Sequence, residues 1–193
     1  ALSTEDAHGK NVAIGRRALK LLNAGADGLN TAVGHQAGAA MTTGIENTLI
    51  GGEAGDALTT GSYNIAIGVD ALDAEDTGSR NVAIGYNSLK SLNYDGNGYN
   101  VAVGFEAGKA MSTGIRNVLI GGLAGDALTT GGNNIAIGYE ALTTEDGNGR
   151  NIAIGTNALQ TLNAGADAHN VAIGFGSGLA MTTGVRNVLI GGN

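Results

Sequence analysis

The stretch Asn81-Val82-Ala83-Ile84-Gly85-Tyr86-Asn87-Ser88 decides the fold, because close copies of it recur along the whole chain. An Asn opens each copy: Asn11, Asn30, Asn47, Asn64, Asn81, Asn100, Asn117, Asn134, Asn151, Asn170 and Asn187. The spacings run 19, 17, 17, 17, repeat in that order, and end 19, 17. A second period of 70 residues therefore lies over the first. Residues 11–80 match 81–150 at roughly 44 of 70 positions, which is what duplication leaves behind.

Each unit is numbered from its Asn. Position 2 is Val, Ile or Thr, position 3 is Ala or Leu, and position 4 is Ile or Val. Branched residues favour the pleated conformation, and three of them are too few for a helix. Position 5 is always Gly: Gly15, Gly34, Gly51, Gly68, Gly85, Gly104, Gly121, Gly138, Gly155, Gly174 and Gly191. A glycine in every copy implies a positive φ or a close backbone approach. Position 8 is Ala or Ser, and position 12 is mostly Leu or Met, as in Leu22, Met41 and Leu58. A Gly, often after Thr-Thr, then leads back to the next Asn, which is turn chemistry. One short strand with a return segment in 17 residues is one coil of a β-solenoid. The chain thus reads as all-β, a β-solenoid or β-roll of about eleven coils of 17–19 residues. It forms a single array over 1–193. The 70-residue super-repeats are 11–80, 81–150 and a partial 151–193, and 1–10 end a preceding coil. Starting in mid-repeat, it reads as a piece of a longer protein. The Asn column is expected to stack as a hydrogen-bonded ladder along the rod.

Side chains alternate along a strand. The 2/4 face is aliphatic apart from Thr31 and Thr48, which places it inside the coil. Position 3 is then left facing outward, yet it is never polar. Strands buried on both faces read as continuous apolar runs, so position 3 is expected to meet another chain, with Leu49, Leu119 and Leu189 at the interface. Where position 3 is Leu, position 6 is Gly (Gly52, Gly122, Gly192), which suggests volume compensation there.

Composition narrows the function. The 193 residues include 35 Gly, no Pro, Cys or Trp, and only 4% aromatics. Few large side chains make a thin core, stable only if it runs on continuously. With a formal charge of −7 and ten Lys and Arg, the chain lacks the basic patch that nucleic acids and anionic membranes require. Without Cys there are no disulfides, thiolate metal sites or thiol nucleophiles. No apolar run is long enough to span a bilayer.

The array Asn-x-Ala-Ile-Gly-x-x-Ala, as in 64–71 and 81–88, resembles the head repeats of trimeric autotransporter adhesins (YadA-like β-rolls). Runs such as Asn134-Ile135-Ala136-Ile137-Gly138-Tyr139-Glu140-Ala141-Leu142 with a Thr-Thr-Gly return look closer to phage tail-fibre shafts. The resemblance covers the whole chain, although adhesin head units are shorter than 17 residues. It implies three chains, intertwined or side by side, in a homotrimeric fibre on a virion or cell surface. Such a shaft supports host or surface attachment, and the glycan or receptor is met by a domain outside this segment. Neither family supplies catalytic residues here, and no enzyme activity, cofactor or metal is expected.

The alternative is a glycan-binding module using exposed turns and aromatics, with Tyr86 and Tyr139 at position 6 (beside Phe105 and Phe175) as candidate contacts. The two-residue excursions of the 19-residue units fall in 23–29, 93–99 and 163–169 and are expected to protrude. Tyr94, Asp95 and Asn97 there are further candidate contacts. Other chemistry is thinner. His8, His35 and His169 occupy different unit positions. The pairs Glu5-Asp6, Glu75-Asp76 and Glu145-Asp146 read as solvated turn charges, each followed four residues after its Asp by Lys10, Arg80 or Arg150. The Asp-Gly-Asn-Gly runs at 95–98 and 146–149 are oxygen-rich but short of a calcium loop. The Thr-Thr pairs skip too many units to form an ice-binding array.

Overall fold

The computed structural model describes residues 1–3, 9–25 and 27–193. Each repeat gives one strand: β1 Val12–Ile14, β2 Thr31–Val33, β3 Thr48–Ile50, β4 Ile65–Ile67, β5 Val82–Ile84, β6 Val101–Val103, β7 Val118–Ile120, β8 Ile135–Ile137, β9 Ile152–Ile154, β10 Val171–Ile173 and β11 Val188–Ile190. All eleven pair in chain order as one parallel sheet. Val12, Ala13 and Ile14 lie opposite Thr31, Ala32 and Val33, and this register holds across both 17- and 19-residue coils. The fold is a parallel β-solenoid. At about 4.8 Å per rung, eleven rungs make a stack roughly 50 Å long.

Backbone bonds run in both directions between rungs. Val82 N–H donates forward to the Asn100 carbonyl (2.8 Å), and Gly85 N–H donates back to the Ile67 carbonyl (2.7 Å). The corners are made by left-handed residues that are often not glycine. Leu72 and Leu89 sit at φ 55° and 49°, and each donates its N–H to the following rung, to Ser88 and Ala107 at 3.0 Å. A bulky residue in this region is uncommon and needs such external support.

The two faces of the strands are the reverse of the sequence expectation. Position 3 lies inside the coil: Ala32, Leu49, Ala66, Ala83, Ala102, Leu119, Ala136, Ala153 and Ala172 are all fully buried. Leu49 and Leu119 are therefore core residues of their own chain, not chain-chain contacts. Leu189, on the final rung, is partly buried against the same core. Positions 2 and 4 point outward instead. The physical reason is space. The core column also holds Ala at position 8 and Leu or Met at position 12, among them Ala54, Leu58, Ala107 and Met111. A flat 17-residue coil has room opposite these for Ala, and for Leu only where something else is missing.

What is missing is a side chain at position 9. A Cβ on Gly55 would lie 3.0 Å from Leu49 Cδ2, and one on Gly38 would lie 2.7 Å from Leu49 Cδ1. Leu119 fills the space over Gly108 and Gly125 in the same way. Volume compensation is real, but it links positions 3 and 9 across the core. Gly52 at position 6 faces open space.

Candidate functional site

The outward side of the sheet is the most distinctive surface of the molecule. It carries four columns. Positions 2 and 4 form two central aliphatic columns, in which Val12, Ile14, Ile50, Ile65, Ile120 and Ile173 are open to solvent in the single chain. The third column is position 6, where Val69, Tyr86, Phe105, Tyr139 and Phe175 are about half exposed. The fourth is the residue before each Asn. Tyr63 and Tyr99 stand there with Arg80 between them, its guanidinium carbon 5.1 Å and 5.8 Å from the two ring centres. The aliphatic columns, three residues at ~3.3 Å across and eleven rungs at ~4.8 Å along, cover roughly 500 Å², at the upper end of the ~300–600 Å² that a monomer leaves as one apolar patch. The flanking columns, which also hold Lys10, Arg16, Glu46, Arg116 and Arg186, widen the face to roughly 1,000 Å² with a polar rim, against the ~800 Å² that a stable interface takes from each partner.

The candidate glycan contacts do not converge on one groove. Tyr86 and Phe105 stack on each other, centroids 5.5 Å apart and planes 17° from parallel, so the ring faces that a sugar would use are turned along the column. Tyr139 is exposed three rungs beyond Tyr86. Tyr94 belongs to a different side of the coil and packs partly against the core. The second excursion is therefore only in part a protruding loop: Asp95 and Asn97 are exposed, while Tyr94 turns inward.

The oxygen-rich runs spend their ligands locally. Asp95 Oδ1 accepts from Thr77 Oγ1 at 2.6 Å, and Asn97 Oδ1 accepts from Arg80 Nε at 3.0 Å. Among the described residues no cluster of three or more His, Asp or Glu is placed to hold a metal. His35 and His169 lie near Arg16 and Arg150 respectively. The Thr hydroxyls are tied to the rungs; those of Thr42, Thr59 and Thr129 donate to the carbonyls of Thr59, Asp76 and Asp146.

The Asn column is buried from Asn30 to Asn170. Asn117 N–H donates to Asn100 Oδ1 at 3.0 Å, and Asn117 Nδ2 donates to that same oxygen and to the Gly131 carbonyl, 14 residues on, at 2.9 Å. In the 19-residue rungs the excursion moves that carbonyl away. Asn11 and Asn81 turn to Gly9 and Ser79 instead, and Asn151 Nδ2 is left without a partner.

Two features escaped the sequence reading. Glu75 and Glu145 are not solvated turn charges: both are fully buried, at position 12, in the column that other rungs fill with Leu or Met. Glu75 Oε1 accepts from Gly78 N–H at 2.8 Å and Oε2 from Tyr94 N–H of the next rung at 3.3 Å. Burial pushes its carboxyl up to about 7, and burial also raises Glu145. Aligning the units at position 12 would have exposed both. Their basic neighbours pair onward instead: Arg80 donates to Asn97 Oδ1 at 3.0 Å, and Arg150 bonds Asp167 at 3.2 Å. Second, Asp56 and Asp73 fall on the same position of adjacent rungs. Burial, and then the hydrogen bond to Asp73, raise Asp56 to about 7. Glu5, Asp6, His8 and Ala26 lie outside the described residues.

No family model, curated protein or solved structure matches the chain.

Proposed function

We propose that this chain is a shaft segment of a self-assembled fibre, built from copies that pack through the outward strand face. The observation that carries this reading is the pair of Val and Ile columns, interrupted only by Thr31 and Thr48, that faces solvent along the rod. Burying aliphatic surface stabilises by about 25 cal/mol per Å², and a second copy offers the same flat, regularly spaced surface. Three side-by-side copies bring three such faces to one axis, in keeping with the fibre families that the repeat resembles. The role is mechanical. The shaft holds an attachment domain, one that meets host glycan or receptor, away from a virion or cell surface, with no chemistry or cofactor of its own.

Two adjacent residues on opposite faces test it. Ile120→Asp puts a charge on the outward column and should leave the circular dichroism spectrum unchanged while dispersing the assembly. Leu119→Asp buries a charge in the coil of its own chain and should cost several kcal/mol whether or not copies associate. If Ile120→Asp stays fully assembled, the proposed interface is wrong.

A further inference from the structure

We infer that Asn148-Gly149 is a self-modifying site: the Gly149 backbone nitrogen closes on the Asn148 side-chain carbonyl carbon, ammonia leaves, and water turns the resulting ring into an aspartyl or isoaspartyl residue. It rests on geometry, independently of the fibre proposal. Asn-Gly occurs twice, at 97–98 and 148–149, in the turns that lead into β6 and β9. Ring closure onto the next residue is intramolecular, so it needs only a nitrogen that is within reach and not already engaged. A following Gly puts no side chain in the way. At 149 the fold itself demands that Gly, because a Cβ there would overlap the Gly132 carbonyl oxygen.

The two sites differ in what holds the reacting atoms. Gly98 N–H is tied into the rung-to-rung bonding, donating to the Ser79 carbonyl at 2.9 Å, and Asn97 Oδ1 accepts from Arg80 Nε at 3.0 Å. Gly149 N–H donates to a side chain instead, Asp167 Oδ1 at 3.2 Å, while Arg150 holds the other oxygen of that carboxylate at 3.2 Å. The nitrogen that must leave, Asn148 Nδ2, lies 3.0 Å from Glu145 Oε1. A carboxylate on the attacking nitrogen and a carboxyl on the departing one, each at about 2.6–3.2 Å, are what proton transfer in both halves of the step requires. Glu145 is fully buried in the column that holds Leu128 and Leu162, its Oε2 without a partner. Burial favours its neutral form, which has a proton to give. The bond from Gly149 N to Asn148 Cγ forms as the amide proton passes to Asp167. The Cγ–Nδ2 bond then breaks, and the nitrogen takes the Glu145 proton and departs as ammonia. Solvent carries the proton from Asp167 back to Glu145. Asn148 is partly exposed, so water reaches the succinimide and opens it at either carbonyl. Opening at the backbone carbonyl leaves the isoaspartyl link, which lengthens the main chain where the Asn148 carbonyl receives Asn134 Nδ2 at 3.2 Å. The change therefore falls on the Asn ladder.

Peptide mapping by mass spectrometry, on the rod as purified and then held at neutral pH, counts aspartyl and isoaspartyl product at both Asn-Gly sites of one molecule. Asn148 should convert at least about tenfold faster than Asn97, a modest part of the ~10²–10⁴-fold that a positioned acid or base supplies. In urea, with both turns released, the two rates should come together. Glu145→Gln keeps the size of the side chain, and Asp167→Asn keeps an oxygen for the Gly149 N–H. Each should slow Asn148 about tenfold and leave Asn97 unchanged, so the second site reports any general loosening of the rod. An Asn148 rate no faster than that of Asn97 in the folded rod would overturn the inference. So would an Asn148 rate that either substitution leaves as it was.

Discussion

Alanine at Gly85 should be among the most damaging small substitutions in the rod, for two reasons that can be separated. Gly85 has φ +134°, and a Cβ there would lie 2.2 Å from the Gly104 carbonyl oxygen, where real Cβ atoms stay beyond 3.0 Å. Holding an L residue in that conformation costs about 1–3 kcal/mol. Relieving the overlap means parting the two rungs, at the expense of the bonds that clasp them: Val82 to Asn100 and Gly104 to Ile84, both 2.8 Å. At about 0.5–1.5 kcal/mol for each bond strained or lost, the total comes to roughly 2–6 kcal/mol. Gly165 shares the positive φ (+67°) but has nothing within 4 Å, so Gly165→Ala should cost only about 1–2 kcal/mol. Gly52 has neither constraint, and Gly52→Ala should be neutral or stabilise by up to about 1 kcal/mol. Urea unfolding followed by circular dichroism ranks the three. Amide exchange on the rungs around 85 and 104 guards against an unfolding that is not all-or-none. Equal losses for Gly85→Ala and Gly165→Ala would refute the close-approach argument.

Other outcomes follow from the buried groups. Glu75 holds its proton to about 7 against 4.5 unfolded, so its stabilising effect is complete below 4.5 and is lost as pH rises through 7. The rod should be more stable at pH 5 than at pH 8, by about 2.5 kcal/mol at this residue, and melt correspondingly higher; a melting temperature that instead falls towards pH 5, and does so only with Glu75 present rather than in Glu75→Gln, would reverse the sign. Asn117→Ala removes the acceptor of the Asn134 N–H and the donor to Gly131, and should cost about 1–3 kcal/mol in thermal or urea unfolding. A loss below half a kcal/mol would mean that the ladder contributes little.

The repeat phase, the rung count and the place of each strand were legible because Asn and Gly stand at fixed spacing and pairing in register follows directly. The inward face was not. Alternation says that position 3 opposes positions 2 and 4, but it does not say which side is the core, and bulk pointed the wrong way. Ala83 goes inside because the coil is thin, and Ile84 stays outside. The pairing of Leu49 with Gly38 and Gly55 depends on which turn residues face the strand across the core, which spacing alone does not give. The left-handed Leu72 and Leu89 are set by bonds to the next rung and have no local signature. Glu75 was misread because its neighbour Asp76 suggested a solvated pair, whereas its phase with Leu58 and Leu92 marked a core position. The outward aliphatic face is what this correction gives the candidate site: the apolar surface argued for at position 3 exists, one residue to either side.

The mass of the purified rod in solution tests whether its outward face is covered by further copies. One chain is 19.0 kDa. Sedimentation equilibrium at micromolar concentration should return about three times that mass, the three-chain shaft proposed above, its outward face of roughly 1,000 Å² per chain exceeding the ~800 Å² that a stable interface takes from each partner. A monodisperse species of a single chain, with the Val and Ile columns left in water, would contradict it.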